Sequence, residues 1–465
     1  MTVRPLAPST LAAYESYAVA VDRIRRDYEA LNPDSPVRLE KATSNLFRVR
    51  DASRSPGLDV SAFSGVLHVD VEARTADVLG MTTYEHLVDA TLRYGLMPLV
   101  VPELKTITLG GAVTGMGIES TSFRNGCPHE SVIDFDVLTG DGRVITVTRD
   151  GDHADLFTGF PNSYGTLGYA LRLRIELQPV RPFVALEHYV QRSAKEAAAT
   201  MDEIAVTGEH RGRPVDFLDG VVFDSDQIVV TVGRFVDEAP YLSDYTRRRI
   251  YYRSLEQRSS DYLSTRDYLW RWDTDWFWCS RALGVQNPVV RPFLPRRLLR
   301  SDVYWKVVGF ERRHGWKQSL DQRLGKPERE PVIQDVEVPV SQLAEFLEFF
   351  EREIGVSPVW LCPLRQRTPD VTWDLYSLDP GTTYINLGFW SSVAAEPGQR
   401  HGHHNRLIEE KVTELGGRKS LYSSSYYQED DFWRVYNGSQ YQLLKKQYDP
   451  QGRLLDLYAK CVRAR

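Results

Sequence analysis

The feature that most constrains this chain is a glycine-rich segment at residues 101–120, VPELKTITLGGAVTGMGIES. Glycine lets a backbone approach a ligand closely. Successive N–H groups can face an anion, and hydroxyl side chains can donate hydrogen bonds to phosphate oxygens. The glycines are Gly110, Gly111, Gly115 and Gly117, and the hydroxyl side chains are Thr106, Thr108, Thr114 and Ser120. The segment favours a bound diphosphate, although a glycine-rich turn without a ligand has the same composition.

The spacing of these glycines excludes two common nucleotide motifs. A Rossmann fingerprint reads G-x-G-x-x-G between a strand and a helix. Here the third position after Gly115 and Gly117 is Ser120, and the residues that follow are polar. A Walker loop ends in Gly-Lys-Ser/Thr, which this segment lacks. A dinucleotide would therefore be held by a different fold.

Composition limits the class of protein further. The chain has 465 residues, a net charge of −6 and a pI near 6.0. This length predicts two domains, or one domain with a cap. The charge and the absence of long basic runs argue against a nucleic-acid partner. Four widely spaced cysteines, with no C-x-x-C pair, disfavour zinc and a disulfide framework. Without a visible signal peptide, the cytoplasm is the expected location.

A histidine cluster is the only tract that invites a metal interpretation. His401, His403 and His404 follow GQR in a polar stretch, and the next acidic residue is Glu409. His-rich tracts can bind metal. A solvated loop is the preferred interpretation, and no metal site is predicted.

Apolar periodicity in the N-terminal third predicts sheets flanked by helices. Residues 66–80 alternate around a turn and predict a hairpin, and residues 82–96 have helical spacing with Thr82 or Thr83 as a cap. Residues 134–147 contain a Gly-Asp-Gly turn between apolar runs, and residues 172–180 predict a closing strand. We therefore expect a first domain at residues 1–182.

The remainder predicts an α+β substrate or cap domain at residues 183–420. Strands are expected at 187–191, 219–223, 227–235 and 335–340, and a capped amphipathic helix at 341–355. A C-terminal segment, 421–465, contains a helix-like run. Residues 260–283 carry several tryptophans among Arg and Asp. Such aromatics usually form a core, but a charged helix with an aromatic face could also cap an apolar tunnel or lie at a lipid headgroup boundary.

Several motifs, in order along almost the whole chain, resemble one family. Residues 101–120 resemble the diphosphate-binding loop of flavoproteins of the vanillyl-alcohol-oxidase (PCMH-type) fold, and more narrowly that of the Δ24-sterol reductase branch. The similarity continues through DFDVLTGDGRVI (134–145), HADLFTGFPNSYGTLGYAL (153–171), PVIQDVEVP (331–339), SPVWLCPLR (357–365), YINLG (384–388) and residues 421–449. The resemblance implies an α+β fold with a two-subdomain PCMH-type FAD-binding domain and an α+β cap, on which the C-terminal segment packs back.

The resemblance also implies the residues of the site. It assigns FAD binding to Thr43, Ser44, Asn45, Pro102, Glu103, Leu104, Thr106, Thr108, Gly110, Gly111, Thr114, Gly115, Gly117, Ile118, Ser120, Gly165, Thr166 and Gly168. Tyr426 is the first candidate for a proton donor and Tyr384 the second, with Arg365 or Glu119 as polarising partners. The tyrosines could instead hydrogen-bond FAD or fill the cap interface, and water or a carboxylic acid could supply the proton.

Two departures from the family give further expectations. Sterol reductases carry an N-terminal membrane segment, whereas residues 1–27 have no long apolar run. Many members of the wider fold attach flavin covalently through histidine, but residues 41–48, KATSNLFR, contain neither histidine nor cysteine. We therefore expect no membrane anchor and a non-covalent FAD.

The activity implied by the resemblance is reduction of an isolated carbon–carbon double bond in a lipid, with NADPH as the reductant. Two groups are similar: the bacterial FAD-binding oxidoreductase of 10-methyl-branched fatty acid synthesis, which is the first choice, and the Δ24-sterol reductases. The expected substrate is thus a fatty acyl phospholipid or a sterol. The resemblance also suggests that the protein has a methyltransferase of the same pathway as a partner and that it contacts the inner face of the membrane. An alcohol or sugar oxidase of the same fold and a flavin-free lipid-binding protein are the alternatives.

Overall fold

The computed structural model describes residues 7–41, 47–48, 57–314 and 327–463. The fold is α+β, as predicted, and is built on a six-stranded and an eight-stranded sheet. The chain leaves the first sheet at Pro179 and enters the second at Phe183. Side chains from both sheets join one hydrophobic core, which contains Leu173 and Trp360. The division into three domains stays a prediction.

The first sheet has the strand order β3-β4-β8-β6-β7, with β5 also paired to β8, and its pairs are antiparallel. Both predicted hairpins are confirmed as β3–β4 and β6–β7. In β8 the alternation of apolar and polar residues buries Leu173 and Ile175 on one face. The strands are β1 Leu39–Glu40, β2 Leu58–Asp59, β3 Val66–Asp70, β4 Thr75–Leu79, β5 Leu96–Pro98, β6 Val132–Leu138, β7 Val144–Thr148 and β8 Tyr169–Pro179, and β1 and β2 form a separate parallel pair.

The second sheet has the order β14-β9-β13-β12-β16-β17-β15-β18. The four predicted strands of this half lie in it. Its long central strands are nearly continuous apolar runs because helices and the first sheet cover its faces. The strands are β9 Phe183–Gln191, β10 Glu209–His210, β11 Arg213–Pro214, β12 Phe217–Asp224, β13 Gln227–Val236, β14 Ser260–Ser264, β15 Arg329–Pro339, β16 Val359–Leu364, β17 Tyr384–Ala394 and β18 Arg418–Lys419, and β10 and β11 form a small hairpin outside the sheet.

The helices are mostly short. Thr83 caps the helix expected at 82–96: its Oγ1 accepts from the His86 N–H, and the helix proper begins one residue later. The α-helices are α1 Pro8–Glu29, α2 Tyr84–Thr91, α3 Leu109–Gly115, α4 Ser122–Asn125, α5 Ala154–Gly159, α6 Ala194–Thr207, α7 Tyr251–Ser254, α8 Thr265–Leu269, α9 Ser301–His314, α10 Leu343–Glu353, α11 His403–Glu414, α12 Glu429–Val435 and α13 Gly438–Tyr448. Among the described residues, none of these helices has the length and apolarity to cross a bilayer.

Four local predictions are corrected by the structure. Helix α10 begins at Leu343 and has no side-chain cap, because a short 3-10 turn precedes it. The helix-like C-terminal run breaks at Asn437, whose φ of 50° starts a second helix. Residues 260–283 form a strand, one helical turn and 3-10 turns, so the alternative of a charged helix is wrong, whereas the preferred interpretation as core is confirmed by the burial of its tryptophans. His403 and His404 open helix α11 instead of a solvated loop, and His404 Nδ1 lies 3.0 Å from Glu330 Oε2.

The C-terminal segment packs on the first sheet and its helices. Lys445 Nζ donates to the Thr166 carbonyl at 2.8 Å, and the Tyr448 hydroxyl donates to Asp155 Oδ1 at 2.7 Å. Lys460 Nζ donates to the Tyr164 carbonyl at 2.6 Å. The chain end therefore contributes to the same region as the glycine-rich segment.

Candidate active site

A cavity of about 640 Å³ lies between the two halves of the molecule. This volume is within the range of cofactor and ligand pockets. One part of its lining is formed by the segment from Pro102 to Ile118, and another by aromatic side chains, most of them from the second half of the chain. We call these the glycine wall and the aromatic wall. The aromatic wall consists of Phe47, Trp276, Phe277, Trp360, Trp390 and Tyr422.

The glycine wall contains helix α3. Thr108 caps this helix by accepting from the Gly111 N–H at 3.2 Å. Gly110 allows a close approach between chain segments, since a Cβ there would lie 2.8 Å from the Gly80 carbonyl oxygen. A Cβ at Gly117 would meet Pro102 at 3.0 Å and Pro128 at 3.1 Å. Small residues are therefore required here by protein packing as well as by any ligand.

The prediction that the glycine N–H groups of this segment are free to face an anion is corrected by the structure. The Gly110 N–H donates to the Gly80 carbonyl at 2.9 Å, and the Gly117 N–H donates to the Ala112 carbonyl at 3.3 Å. The Gly111 N–H is used by the Thr108 cap. The helix start is thus satisfied internally, and other groups must supply the contacts to a diphosphate.

Most of the predicted FAD-binding residues line the cavity. Ser120 and Thr166 do not: the Ser120 hydroxyl lies 3.0 Å from the Tyr268 hydroxyl, and Thr166 Oγ1 donates to the Ser163 carbonyl at 2.8 Å. Thr43, Ser44 and Asn45 lie outside the described residues. The lining residues are Pro102, Glu103, Leu104, Thr106, Thr108, Gly110, Gly111, Thr114, Gly115, Gly117, Ile118, Gly165 and Gly168.

None of the four predicted catalytic residues lines the cavity. The Tyr426 ring lies beside the His401 ring, and Arg406 Nη1 donates to the backbone carbonyl of Tyr426. The Tyr384 hydroxyl accepts from the Asp379 N–H at 3.2 Å. Arg365 donates to the carbonyls of Ala205 and Gly381. Their catalytic roles stay predictions, and the structure favours other groups that do line the cavity.

Glu119, the fourth candidate, lies directly behind a carboxyl that lines the cavity. Burial raises the pKa of Glu103 well above its ordinary value, and the charge of Glu119 and a hydrogen bond between the two carboxyls raise it further. Arg271 Nη2 lies 3.1 Å from Glu119 Oε1 and 2.8 Å from Asp219 Oδ2. Arg271 is fully buried, and its positive charge partly offsets the rise in the pKa of Glu103. Glu103 Oε1 has no partner among the described residues.

A second carboxyl, Asp335, lines the cavity next to the aromatic wall. Burial raises its pKa to about 7, an effect that Asn386 and Tyr422 partly offset. Glu337 lies two positions further along the same strand, and burial raises its pKa to about 8. The motif PVIQDVEVP pointed to this strand but did not indicate which of its carboxyls faces the cavity.

The aromatic wall is continuous. The ring centroids of Phe277 and Trp390 are 4.2 Å apart, and those of Phe277 and Trp360 are 5.4 Å apart. Trp390 Nε1 donates to the Tyr422 hydroxyl at 2.9 Å. Trp276 and Phe277 have φ values of 48° and 60°. Two consecutive bulky residues in this left-handed region are strained, a condition that clusters at functional sites.

Basic side chains also line the cavity. The Arg48 guanidinium lies 4.8 Å from the centre of the Tyr164 ring, and Lys460 Nζ is held by the Tyr164 carbonyl. Arg38 and Lys41 complete this set. Their positive charge suits the phosphates of a dinucleotide. Sequence reasoning missed these four residues because basic side chains at scattered positions form no local motif.

The residues present fit FAD. The cavity combines small residues at Gly110 and Gly111, basic side chains for a diphosphate, and apolar side chains such as Met116 and Ile118 for a planar ring system. Glu103 Oε1 and Asp335 Oδ1 are buried and have no hydrogen-bond partner in the described part of the chain, so a bound group can satisfy them. The non-covalent mode of attachment stays a prediction.

Comparison with known proteins agrees with this geometry. The model of the FAD binding domain family matches residues 33–148. These residues include the whole glycine wall. The chain therefore contains an FAD binding domain of the PCMH type, and the protein is an FAD-dependent oxidoreductase.

Its similarity extends across most of its length to Δ24-sterol reductases. The Arabidopsis thaliana protein of that name is 25% identical over 453 residues, which cover 88% of this chain and 77% of the relative. The Homo sapiens protein is 25% identical over 414 residues, covering 86% and 76%. Cytokinin dehydrogenase 2 of Oryza sativa subsp. japonica is 28% identical over 172 residues, 36% of this chain and 30% of the relative.

Proposed function

We propose that this protein reduces an isolated carbon–carbon double bond of a lipid. The observation that carries the proposal is the pairing, in one cavity, of an aromatic wall with the buried acid Glu103. The names of the relatives support a reductase acting on a lipid. Reduced FAD, when bound, supplies the hydride.

The chemistry of an isolated alkene requires that the proton is added first. No conjugated carbonyl stabilises a carbanion, so hydride cannot lead. Protonation of a branched alkene at its less substituted carbon produces a tertiary cation, which then accepts hydride at the branched carbon. Glu103 is suited to donate the proton, because burial and the charge of Glu119 raise its pKa and so favour its protonated form. The positive charge of Arg271 favours the carboxylate that remains.

The aromatic wall has a separate role. Ring faces attract a cation that is held over them. Trp390 and Phe277 line the cavity and are buried, so their rings are available to a cation formed there. Asp335 lies beside Trp390 and Tyr422, where its carboxylate form would add further electrostatic stabilisation.

Between the two lipid classes, the relatives favour a sterol with a side-chain double bond. The 10-methylene acyl chain, which the sequence resemblance placed first, shares the chemistry because it also forms a tertiary cation. The two substrates can therefore be compared in one experiment. We further propose NADPH as the external reductant, by the same resemblance.

The experiment follows the flavin spectrum under anaerobic conditions. NADPH should bleach the flavin, and a Δ24-sterol or a 10-methylene phospholipid should then restore the oxidised spectrum and yield the saturated lipid. Bleaching by dithionite but not by NADPH would assign reduction to another donor or a partner protein. A flavin that is reduced by an alcohol or sugar, is rapidly reoxidised by oxygen and reacts with neither alkene would favour an oxidase. That result would contradict the proposal.

A further inference from the structure

A loop that follows the aromatic wall exposes large apolar side chains. In the docking loop, defined as residues 285–300, Phe293 is 84% exposed and Val289 is 74% exposed. Val290 and Leu298 are also exposed. Four exposed apolar side chains within ten residues are unusual on a protein surface that only faces water.

The charge of this region differs from that of the whole protein. Between Trp276 and Ser301 the sequence contains five arginines and no acidic residue, although the net charge of the chain is −6. Arg281 and Arg297 are exposed and, within the described part of the chain, form no ion pair. The Arg291 guanidinium donates to the carbonyls of Arg247 and Arg249, which places the exposed arginines 247–249 beside the loop.

The docking loop is anchored to the cavity wall. Arg291 forms two hydrogen bonds with Asp275, at 2.6 and 2.8 Å, and Asp275 directly precedes Trp276. The Ser301 hydroxyl, just after the loop, donates to Asp273 Oδ1 at 2.6 Å. Trp305 of α9 packs on Phe47 and Trp276. The exposed surface and the aromatic wall are thus two sides of one structural unit.

We propose that the docking loop binds the surface of an anionic lipid bilayer and brings the cavity to its lipid substrate. Apolar side chains interleaved with arginines match a headgroup layer, where the apolar groups enter the acyl boundary and the arginines meet the phosphates. This inference rests on the proposed function for its purpose, but the binding itself is measured without turnover. A second copy of this chain and a protein partner are outcomes of the test.

The test is flotation of the FAD-loaded protein with vesicles of phosphatidylcholine, with and without phosphatidylglycerol. Wild-type protein should float with the phosphatidylglycerol vesicles, less at high salt, and little with phosphatidylcholine alone. Phe293→Ser combined with Val289→Ser should lower the partition coefficient by about tenfold or more. Arg281→Gln combined with Arg297→Gln should also lower it and reduce its dependence on salt.

The matched controls are Val19→Ser on α1 and Leu443→Ser on α13, which replace side chains that are 66% and 64% exposed elsewhere on the surface. These variants should float like wild type. Unchanged flotation of the Phe293/Val289 variant, or equal binding to both kinds of vesicle, would overturn the proposal. So would a dimer in solution that the variant abolishes while wild type fails to float.

A turnover assay separates this proposal from the proposed function. With substrate in detergent micelles, the Phe293/Val289 variant should react like wild type, whereas with substrate in vesicles it should be about tenfold slower or more. If wild type reduces neither alkene in micelles but still floats, the proposed function fails and the docking surface stands. If wild type reacts in micelles but does not float, the docking surface fails alone.

Discussion

The two walls of the cavity are built in different ways. The glycine wall comes from one continuous segment, Pro102 to Ile118, whereas the aromatic wall combines residues from Phe47 to Tyr422. The first wall is shaped by close backbone packing at Gly110 and Gly117. The second is shaped by ring contacts and by left-handed backbone at Trp276 and Phe277. The difference suggests a division of labour, in which one wall holds the cofactor and the other shapes the reaction.

The largest effect should come from a charge placed in the glycine wall. In Gly111→Asp the new Cβ would lie 2.8 Å from Thr108 Oγ1, so the Thr108 side chain has to move, and a carboxylate enters the proposed diphosphate region. Two like charges about 4 Å apart repel by roughly 4 kcal/mol at a near-surface dielectric, so FAD affinity should fall roughly 100-fold or more. Flavin absorbance per protein and titration with FAD measure this.

The control for this variant is Gly309→Asp, at a position where a Cβ meets nothing within 4 Å. It should keep its flavin. Acid precipitation of wild type should release intact FAD into the supernatant, and flavin in the pellet would contradict a non-covalent cofactor. Full flavin content in Gly111→Asp would show that this wall does not face the diphosphate.

Removal of the proposed acid should have the next largest effect. Glu103→Gln keeps the shape of the side chain but cannot donate a proton to an alkene, so flavin reoxidation by substrate should slow by about 10²–10⁴-fold with FAD content unchanged. Tyr426→Phe is the comparison, because Tyr426 does not line the cavity, and we expect its rate within about twofold of wild type. The reverse result would restore Tyr426 as the donor.

A change in the aromatic wall should have a moderate effect. Trp390→Leu keeps an apolar side chain but removes a ring face, which should slow the substrate step by about 30-fold, the equivalent of the roughly 2 kcal/mol of a desolvated cation–π contact. FAD affinity should change little. Trp373→Leu is the matched control, since it replaces a buried tryptophan outside the cavity lining. Equal slowing in both variants would assign the effect to lost packing.

The smallest effect concerns stability against pH. Asp335 keeps its proton in the folded protein up to about pH 7, whereas the unfolded chain loses it near 3.8. The free energy of unfolding should therefore fall between about pH 4 and 7, by up to about 1.4 kcal/mol per pH unit for this group. In urea unfolding at fixed FAD concentration, Asp335→Asn should make the free energy of unfolding fall less steeply with pH. Asp150→Asn, at an exposed position, should leave this slope unchanged. Identical slopes would contradict a buried, protonated Asp335.

The sequence was sufficient for the parts of this structure that local patterns encode. Alternation predicted the hairpins at 66–80 and 134–147, and glycine spacing located most of one cavity wall. The prediction of free N–H groups was wrong because the Gly110 N–H donates to the carbonyl of Gly80. Gly80 lies 30 positions away, so this hydrogen bond has no local signal in the sequence. The charged helix that was the alternative for residues 260–283 does not form, because residues 260–264 pair with β9 in the second sheet and Trp276 and Phe277 have left-handed backbone. Neither feature has a local signal in the sequence.

The candidate acids show the same limit. The motif VPEL predicted Glu103 as an FAD-binding residue, but its raised pKa depends on burial and on Glu119, 16 positions along the chain. Asp335 and Trp390 reach the cavity through pairing of β15 with β17, a contact that no spacing rule predicts. Local patterns thus identified the cofactor wall, and tertiary structure was needed to find the groups proposed for chemistry.

The most direct test of the central claim is the position of isotope in the product. Wild-type protein that turns over with unlabelled NADPH and the alkene in heavy water should place solvent deuterium on the less substituted carbon and NADPH-derived protium on the branched carbon. For a 10-methylene chain, deuterium should enter the new methyl group. Deuterium at the branched carbon, with donor hydrogen on the less substituted carbon, would contradict a proton that is added first.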